Sequence, residues 1–305
     1  MTKALEQFVA SEIHASLAPE IREAAAIIAA RHDGRAVLFY GSVVRTKDLS
    51  GLLDFYVLTT PEYGRTSRSP AFSWLWPDVS FEEVTIGDVR LRFKVATMSL
   101  QVFGRAARGD LLDTTVWTRF CQPSVLAWVA DDAIASEIVG AIMAATISAA
   151  RFAAVLGPCQ GTPTSYWSAL FRETYRAEFR VERHGREKSI IAFDRQRYGT
   201  ILPLAWQADG LTFELRSDGL HPHISPKKRS LILKKWRTRR RLGKLLNIAR
   251  LIKAAFLLED AARYAIWKIE RHSNAKIALT PWRTQHPILA APGVLFRFWR
   301  ATGRP

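Results

Sequence analysis

Apolar positions in the first 31 residues, Leu5, Phe8, Ile13, Leu17, Ile21, Ala24 and Ile28, recur at near-helical spacing, which predicts an amphipathic helix over 5–31 ended by Asp33-Gly34. The pattern then changes period. Residues 36–40 (AVLFY) form a fully apolar run stopped by Gly41-Ser42, and residues 52–60 (LLDFYVLTT) form a second, so both predict buried strands. Residues 79–86 and 89–97 predict a hairpin around Gly87-Asp88. From Asp113 the spacing predicts helices: 114–129 (TTVWTRFCQPSVLAWV), 133–156 and 165–182, with Gly157-Pro158 and Gly161-Thr162-Pro163 as breaks. Short strands predicted at 189–193 and 211–215 flank YGTILPL, a helix-plus-wing pattern. Ile248, Leu251, Ile252, Ala255, Leu258, Ala261, Tyr264 and Ala265 predict a last amphipathic helix.

These elements give an α/β (α+β) fold class with three regions: a mixed sheet with flanking helices over 1–112, a mostly helical region over 113–225, and a basic amphipathic segment over 226–305. The longest near-apolar run, 138–150, is closed by Glu137 and Arg151 and falls short of the ~20 residues a spanning helix needs, so it predicts a buried helix and no transmembrane span. The N-terminal stretch carries Glu6, Glu12, Glu20 and Glu23 and reads as neither a signal nor a transit peptide. With 305 residues, 48% of them hydrophobic, the chain is long and apolar enough for a real core. Cys121 and Cys159 are too few for a staple framework or a metal cluster, which points to a reducing, intracellular setting.

Charge divides the chain. Up to residue 220 there are 24 basic and 25 acidic residues; beyond it there are 20 and 3, so net charges of −1 and +17 make up the overall +16. A balanced body followed by a cationic segment predicts an anionic partner for the tail. In the tail Lys227, Lys228, Arg229, Lys234, Lys235, Arg237, Arg239, Arg240, Arg241 and Lys244 are threaded with Leu231, Leu233, Trp236, Leu242, Leu245 and Leu246. Further on, Leu295, Phe296, Phe298 and Trp299 flank Arg297 and Arg300. Bulky aliphatic and aromatic residues among arginines suit an anionic bilayer interface, and a helix packed on the body with a solvated basic face is the plainer alternative. Nucleic acid is the less favoured partner, because separate aromatic stacking platforms are not the dominant pattern.

The chemistry-bearing spacing is Gly41-Ser42 with Asp54 twelve residues after the serine, each at the edge of an apolar strand. A Gly-Ser turn offers backbone N–H groups and a hydroxyl to a triphosphate while a strand carboxylate holds Mg²⁺ against it, a pattern that resembles the nucleotidyltransferase superfamily signature. In most of that superfamily a second carboxylate follows two residues after the first; Tyr56 stands there instead.

Further residues join this pair in order: Tyr40-Gly41-Ser42, Leu53-Asp54-Phe55, Arg119-Phe120 with Pro123, then Thr174-Tyr175-Arg176-Ala177-Glu178-Phe179-Arg180, then Tyr198-Gly199-Thr200-Ile201-Leu202. The series resembles the mitochondrial-type phosphatidate cytidylyltransferase family (mitochondrial CDP-diacylglycerol synthase, translocator assembly and maintenance protein) over roughly residues 36–270. That family also lacks the second acid. Two departures stand out: Gln122 replaces the lysine of a Gly-Arg-x-x-Lys-Pro element, and Val43 replaces the last glycine of Tyr-Gly-Ser-Gly. The resemblance implies a nucleotidyltransferase domain, a winged-helix-like domain and a membrane-meeting amphipathic segment. It also implies the reaction of CTP with phosphatidic acid to give CDP-diacylglycerol and pyrophosphate, in phospholipid biosynthesis at the inner, cytoplasmic face of a membrane.

Within that reading Asp54 is the Mg²⁺ ligand, with Glu83 a candidate second contact from the hairpin. Tyr40, Gly41, Ser42 and Lys94 are candidates for the triphosphate, and Arg119, Tyr175 and Arg180 for phosphate or base recognition, since arginine offers a planar fork and tyrosine a ring and a donor. The seven histidines show no ligand spacing. Two alternatives remain open at this level: a nucleotidyltransferase with another acceptor, and a non-catalytic membrane-binding relic of the fold.

Overall fold

Pro19 divides the first predicted helix in two, because it lacks an N–H and favours the first turn: α1 is Thr2–Ile13 and α2 is Pro19–Arg31. The computed structural model describes residues 2–46, 51–61, 75–177 and 186–257. The chain continues through β1 (Gly34–Tyr40), α3 (Ser42–Thr46), β2 (Leu52–Thr59), β3 (Asp78–Ile86), β4 (Val89–Ser99), α4 (Leu100–Ala107), α5 (Thr115–Phe120) and β5 (Ser124–Val129). It proceeds through α6 (Asp132–Leu156), α7 (Pro163–Ala177), α8 (Arg186–Phe193), α9 (Arg195–Ala208), the β6 (Phe213–Arg216) and β7 (Gly219–Pro222) ribbon, and α10 (Pro226–Leu257).

The sheet order is β3-β4-β2-β1-β5; β2 and β4 are parallel and the other neighbours antiparallel. Both faces are covered, which explains why the inner strands read as continuous apolar runs. Val37, Phe39, Leu53, Phe55, Phe93 and Val95 face a smaller core under α2, while Leu38, Tyr40, Tyr56, Leu58, Ala96 and Met98 face a larger core shared with α1, α4, α5 and α6. The fold is thus mixed α/β, as the hydrophobic pattern predicts.

Two predicted elements change type. Residues 124–129, predicted helical, form β5: Pro123 follows the end of α5, and the β-branched and aromatic segment beyond it pairs antiparallel with β1. Residues 189–193, predicted as a strand, lie in α8, whereas β6 covers most of the other predicted strand. Because β5 comes from beyond residue 112 and α1 packs on α6 and α9, the first two predicted regions share one core. The ends of the helices predicted over 165–182 and 248–265, and the aromatic run at 295–299, lie outside the described residues.

α6 is the centre of the larger core. Asp131 caps it by accepting the Ile134 backbone N–H at 2.9 Å. By length and composition α6 is the one helix among the described residues that passes as a candidate membrane span, yet 78% of its most apolar window is buried within the protein. Leu5, Val9 and Ile13 of α1 join the same core. At its edge Arg197 donates to both oxygens of Glu12, at 2.5 and 2.9 Å, and to the Cys121 carbonyl at 3.0 Å, which ties α9 to α1 and to the end of α5.

α10 is one helix through the whole basic run. Its inner side buries Ile232, Trp236 and Arg239. The Trp236 ring lies 5.7 Å from that of Phe152 on α6, and Gly243 lets the α10 backbone approach α7, where a Cβ would stand 3.0 Å from the Ala177 carbonyl oxygen. The plainer sequence alternative, a helix packed on the body, therefore describes this side of 226–257.

Two measurements test the packing. Glu12→Leu strands Arg197 as a buried charge and is expected to cost about 3–5 kcal/mol in urea unfolding, most of it recovered when Arg197→Met is added; additive losses in the double variant would refute the pairing. Burial of Glu82 opposes its ionisation, but hydrogen bonds from His32, Ser80 and Arg31 win and hold its carboxyl at about 2, below its ordinary 4.5. A depressed carboxylate stabilises the fold above its unfolded pKa, and that contribution is lost as pH falls from 4.5 towards 2. The stability gap between wild type and Glu82→Gln should therefore close over that window; a gap that persists unchanged contradicts it.

Candidate functional site

β1 ends at Tyr40, the chain turns at Gly41, and Ser42 opens α3. Gly41 has φ 96°, in the region only glycine enters freely, and a Cβ there would lie 2.7 Å from Oδ2 of Asp54. The turn therefore leaves no room for a side chain between residue 41 and the Asp54 carboxylate. Register brings this about: Tyr40 pairs with Asp54 across β1 and β2, and Asp54 pairs with Lys94 across β2 and β4. Paired residues project to the same face, so Tyr40, Asp54 and Lys94 make one row across three strands.

Arg119, in the last turn of α5, sets its guanidinium 5.8 Å from the Tyr40 ring centroid. Tyr56, two residues after Asp54 on the same face, packs 5.6 Å from Tyr40, and Phe120 closes on both rings at 5.5 and 5.2 Å. Burial drives the Tyr40 phenol far above its ordinary range against the pull of Arg119, and burial likewise pushes Tyr56 up to about 12. Both phenols stay protonated at neutral pH, so they are donors and not bases. The Tyr40 hydroxyl has no hydrogen-bond partner among the described residues, and a buried donor left that way costs ~1–3 kcal/mol, so it is available to an oxyanion, whereas the Tyr56 hydroxyl is acted on by a hydrogen bond from Arg119.

The chemistry available is anion recognition beside one carboxylate. Among the described residues no three His, Cys, Asp or Glu side chains converge as a metal cage. Mg²⁺ needs none: it is commonly held by one or two carboxylates, with substrate phosphates and water filling its remaining positions, and Asp54 fits as the protein's share.

Other predicted residues fall elsewhere. Glu83 on β3 pairs in register with Arg92, two strands from β2 and off the Asp54 row, and its carboxylate is ion-paired with Arg90 at the hairpin end. Tyr175 stands on α7, half-buried on the larger core and outside the sheet row. Arg180 lies outside the described residues.

Three residues that sequence reasoning did not assign a role belong to this neighbourhood. Tyr56 was legible from strand parity, since it shares a face with Asp54. Asp113, just before α5, accepts from Thr115 Oγ1 at 2.6 Å and from Arg250 Nη1 at 2.8 Å; no motif marks either it or Arg250, which is one of many basic residues in the tail. Tyr56 feels Arg119, Asp113 and Arg250 together.

Gly41→Ala tests the turn. The expected outcome is a stability loss of about 1–2 kcal/mol, with any affinity of the turn for an inorganic triphosphate falling on the order of tenfold or more as Asp54 is pushed aside. Gly199→Ala on α9, where an added Cβ meets nothing within 4 Å, serves as the control and should leave binding alone. Equal binding by both variants would remove Gly41 from the site. Set against known proteins, the chain matches no protein-family model and no curated protein.

Proposed function

We propose that the chain is a Mg²⁺-dependent nucleotidyltransferase of the phosphatidate cytidylyltransferase type, converting CTP and phosphatidic acid to CDP-diacylglycerol and pyrophosphate. The observation that carries the reading is the Gly41 turn pressed on Asp54, with Lys94 beside the carboxylate and Arg119 over Tyr40. In the reaction a phosphatidate oxygen attacks the α-phosphorus of CTP, and the bond to the β-phosphate oxygen breaks as pyrophosphate leaves. The acceptor is ionised near neutral pH, so no strong general base is required. Asp54 would hold Mg²⁺, which neutralises triphosphate charge. Gly41 N–H, the Ser42 hydroxyl, Lys94 and Arg119 would bind the phosphates, and the protonated Tyr40 and Tyr56 would donate to developing negative charge.

The rest of the chain suits a lipid acceptor. We read α7, α8 and α9 with the β6–β7 ribbon as the winged-helix-like unit. On α10, Leu231, Leu242, Leu245 and Ile248 are exposed among exposed Lys234, Lys235, Arg237, Arg240 and Arg241. Aliphatic residues flanked by cations fit the interface of an anionic bilayer better than a nucleic-acid backbone, which favours a peripheral enzyme at the cytoplasmic face.

The test is pyrophosphate release from each of the four nucleoside triphosphates with Mg²⁺ and phosphatidic-acid vesicles, for wild type and Asp54→Ala. Release with CTP alone, dependent on phosphatidic acid and lost in the variant, is expected. Release without phosphatidic acid but with another acceptor would transfer the activity to a different substrate class. No release with any nucleotide, while vesicles are still bound, would leave a membrane-binding protein on this fold.

A further inference from the structure

We propose that Arg250, on the basic helix α10, is a positioning residue for polyphosphate binding: it grips Asp113 and cancels its charge, so that the neighbouring Tyr40, Tyr56 and Arg119 cluster stays net positive. The transferase reading supplies only the identity of the anion.

The argument begins with Asp113. It is 4% exposed, stands at the entry to the short helix that carries Arg119, and lies within electrostatic reach of Tyr56. A lone buried carboxylate there would oppose any oxyanion approaching Arg119, since charges a few ångströms apart in a protein interior are poorly screened. Arg119 and Arg250 both act on Tyr56 against the opposing charge of Asp113, and Arg239 of the same helix also feels Asp113.

Arg250 is held for this task and not for direct contact. Its Nη1 bonds Asp113 Oδ1 at 2.8 Å, and its guanidinium lies 4.8 Å from the centroid of the Trp76 ring, so one edge and one face are engaged. Two further side chains fix α10 at this place. Arg239 donates to the carbonyls of Gly109 and Leu111, the latter at 3.0 Å, and Lys253 donates to the Leu75 carbonyl at 2.7 Å and pairs with Asp78.

A purely stabilising role fits the pair less well. Among the described residues, hydrogen bonds reach the carboxylate only at Oδ1, and Asp113 Oδ2 and Arg250 Nε are buried without hydrogen-bond partners. A buried ion pair selected for stability would use the bidentate fork that arginine offers, because a half-satisfied pair repays little of its desolvation. What the single bond does secure is electrical neutrality at Asp113.

The experiment measures, on the full chain, calorimetric affinity for inorganic tripolyphosphate and for Mg²⁺-CTP, with thermal unfolding alongside. The variants are Arg250→Gln, Arg250→Lys, Asp113→Asn and the double Asp113→Asn/Arg250→Gln. Exposing the Asp113 charge in Arg250→Gln should weaken both ligands about tenfold, whereas Arg250→Lys, which keeps the charge, should remain within about threefold of wild type. Removing both charges should restore affinity to within about threefold, a coupling that a contact to the ligand itself would not show. A double variant as weak as Arg250→Gln overturns the proposal, as does unchanged affinity in Arg250→Gln. Should Arg250→Gln fail to fold, Asp113→Asn decides: with Arg250 kept and the opposing carboxylate gone, both ligands should bind at least about threefold tighter than to wild type, and unchanged affinity overturns the proposal. Wild type that binds tripolyphosphate but transfers no nucleotide sinks the transferase reading and leaves this one to its variants; wild type that binds neither ligand overturns it.

Discussion

The antiparallel register of β1 on β2 is the constraint from which the site follows. Once Tyr40 stands opposite Asp54, strand parity sends Tyr40, Asp54 and Tyr56 to one face and Phe39, Phe55 and Val57 to the other. A slip of one residue would exchange those sets, burying Asp54 among phenylalanines under α2 and exposing the chain to the cost of an unpaired interior carboxylate. Register is secured because both faces are covered, so each wrong residue would meet a packed core and not water. The stacked pair Phe55 and Phe93, 4.8 Å apart, adds a directional contact that favours the same alignment between β2 and β4.

Covering both faces requires helices on each side, and the sequence supplies them unequally. α2, with Val43 of α3, covers the smaller core among the described residues, whereas the larger core takes α1, α4, α5 and α6 and extends to α7 and α9. α6 serves as the common partner, which is why it is apolar enough to resemble a membrane span while lying mostly inside the protein. Helices that share one partner cannot be divided into independent layers, so residues on both sides of position 112 contribute to one core.

The strands of the sheet centre were legible because burial on both faces leaves an unmistakable apolar run, and the hairpin because Gly87-Asp88 interrupts alternation; the structure moves their ends by no more than two residues. The turn at Gly41 and the carboxylate at Asp54 were legible from spacing alone, and Lys94 from its place on the hairpin. β5 was not, because SVLAWV follows a helical segment and its strand character is decided by the free edge of β1, a partner some 85 residues earlier in the chain. α8 went the other way, since a short apolar run of SIIAF suits either element and packing against α7 and α9 decides. Asp113 and Arg250 were invisible for the same reason: they lie 137 positions apart and acquire meaning only when α10 folds back.

That return of α10 joins two uses of positive charge that composition alone cannot separate. Most of its cations are exposed and act outward, at long range and with strong dependence on salt. Arg239, Arg250 and Lys253 are instead drawn inward, where each meets carbonyl or carboxylate oxygen and is shielded from solvent. An arginine or lysine in such a place is affordable only because its partners are fixed by the fold, so the inward residues specify where the helix lies while the outward ones are free to serve a partner. The exposed leucines then acquire a defined orientation. A helix clamped by these three inward-turned cations has little freedom to roll, and whatever surface meets Leu242 and Leu245 does so at a fixed attitude to the Asp54 row. On the transferase reading proposed above, that fixed attitude would let a single docking geometry present one lipid phosphate to one site.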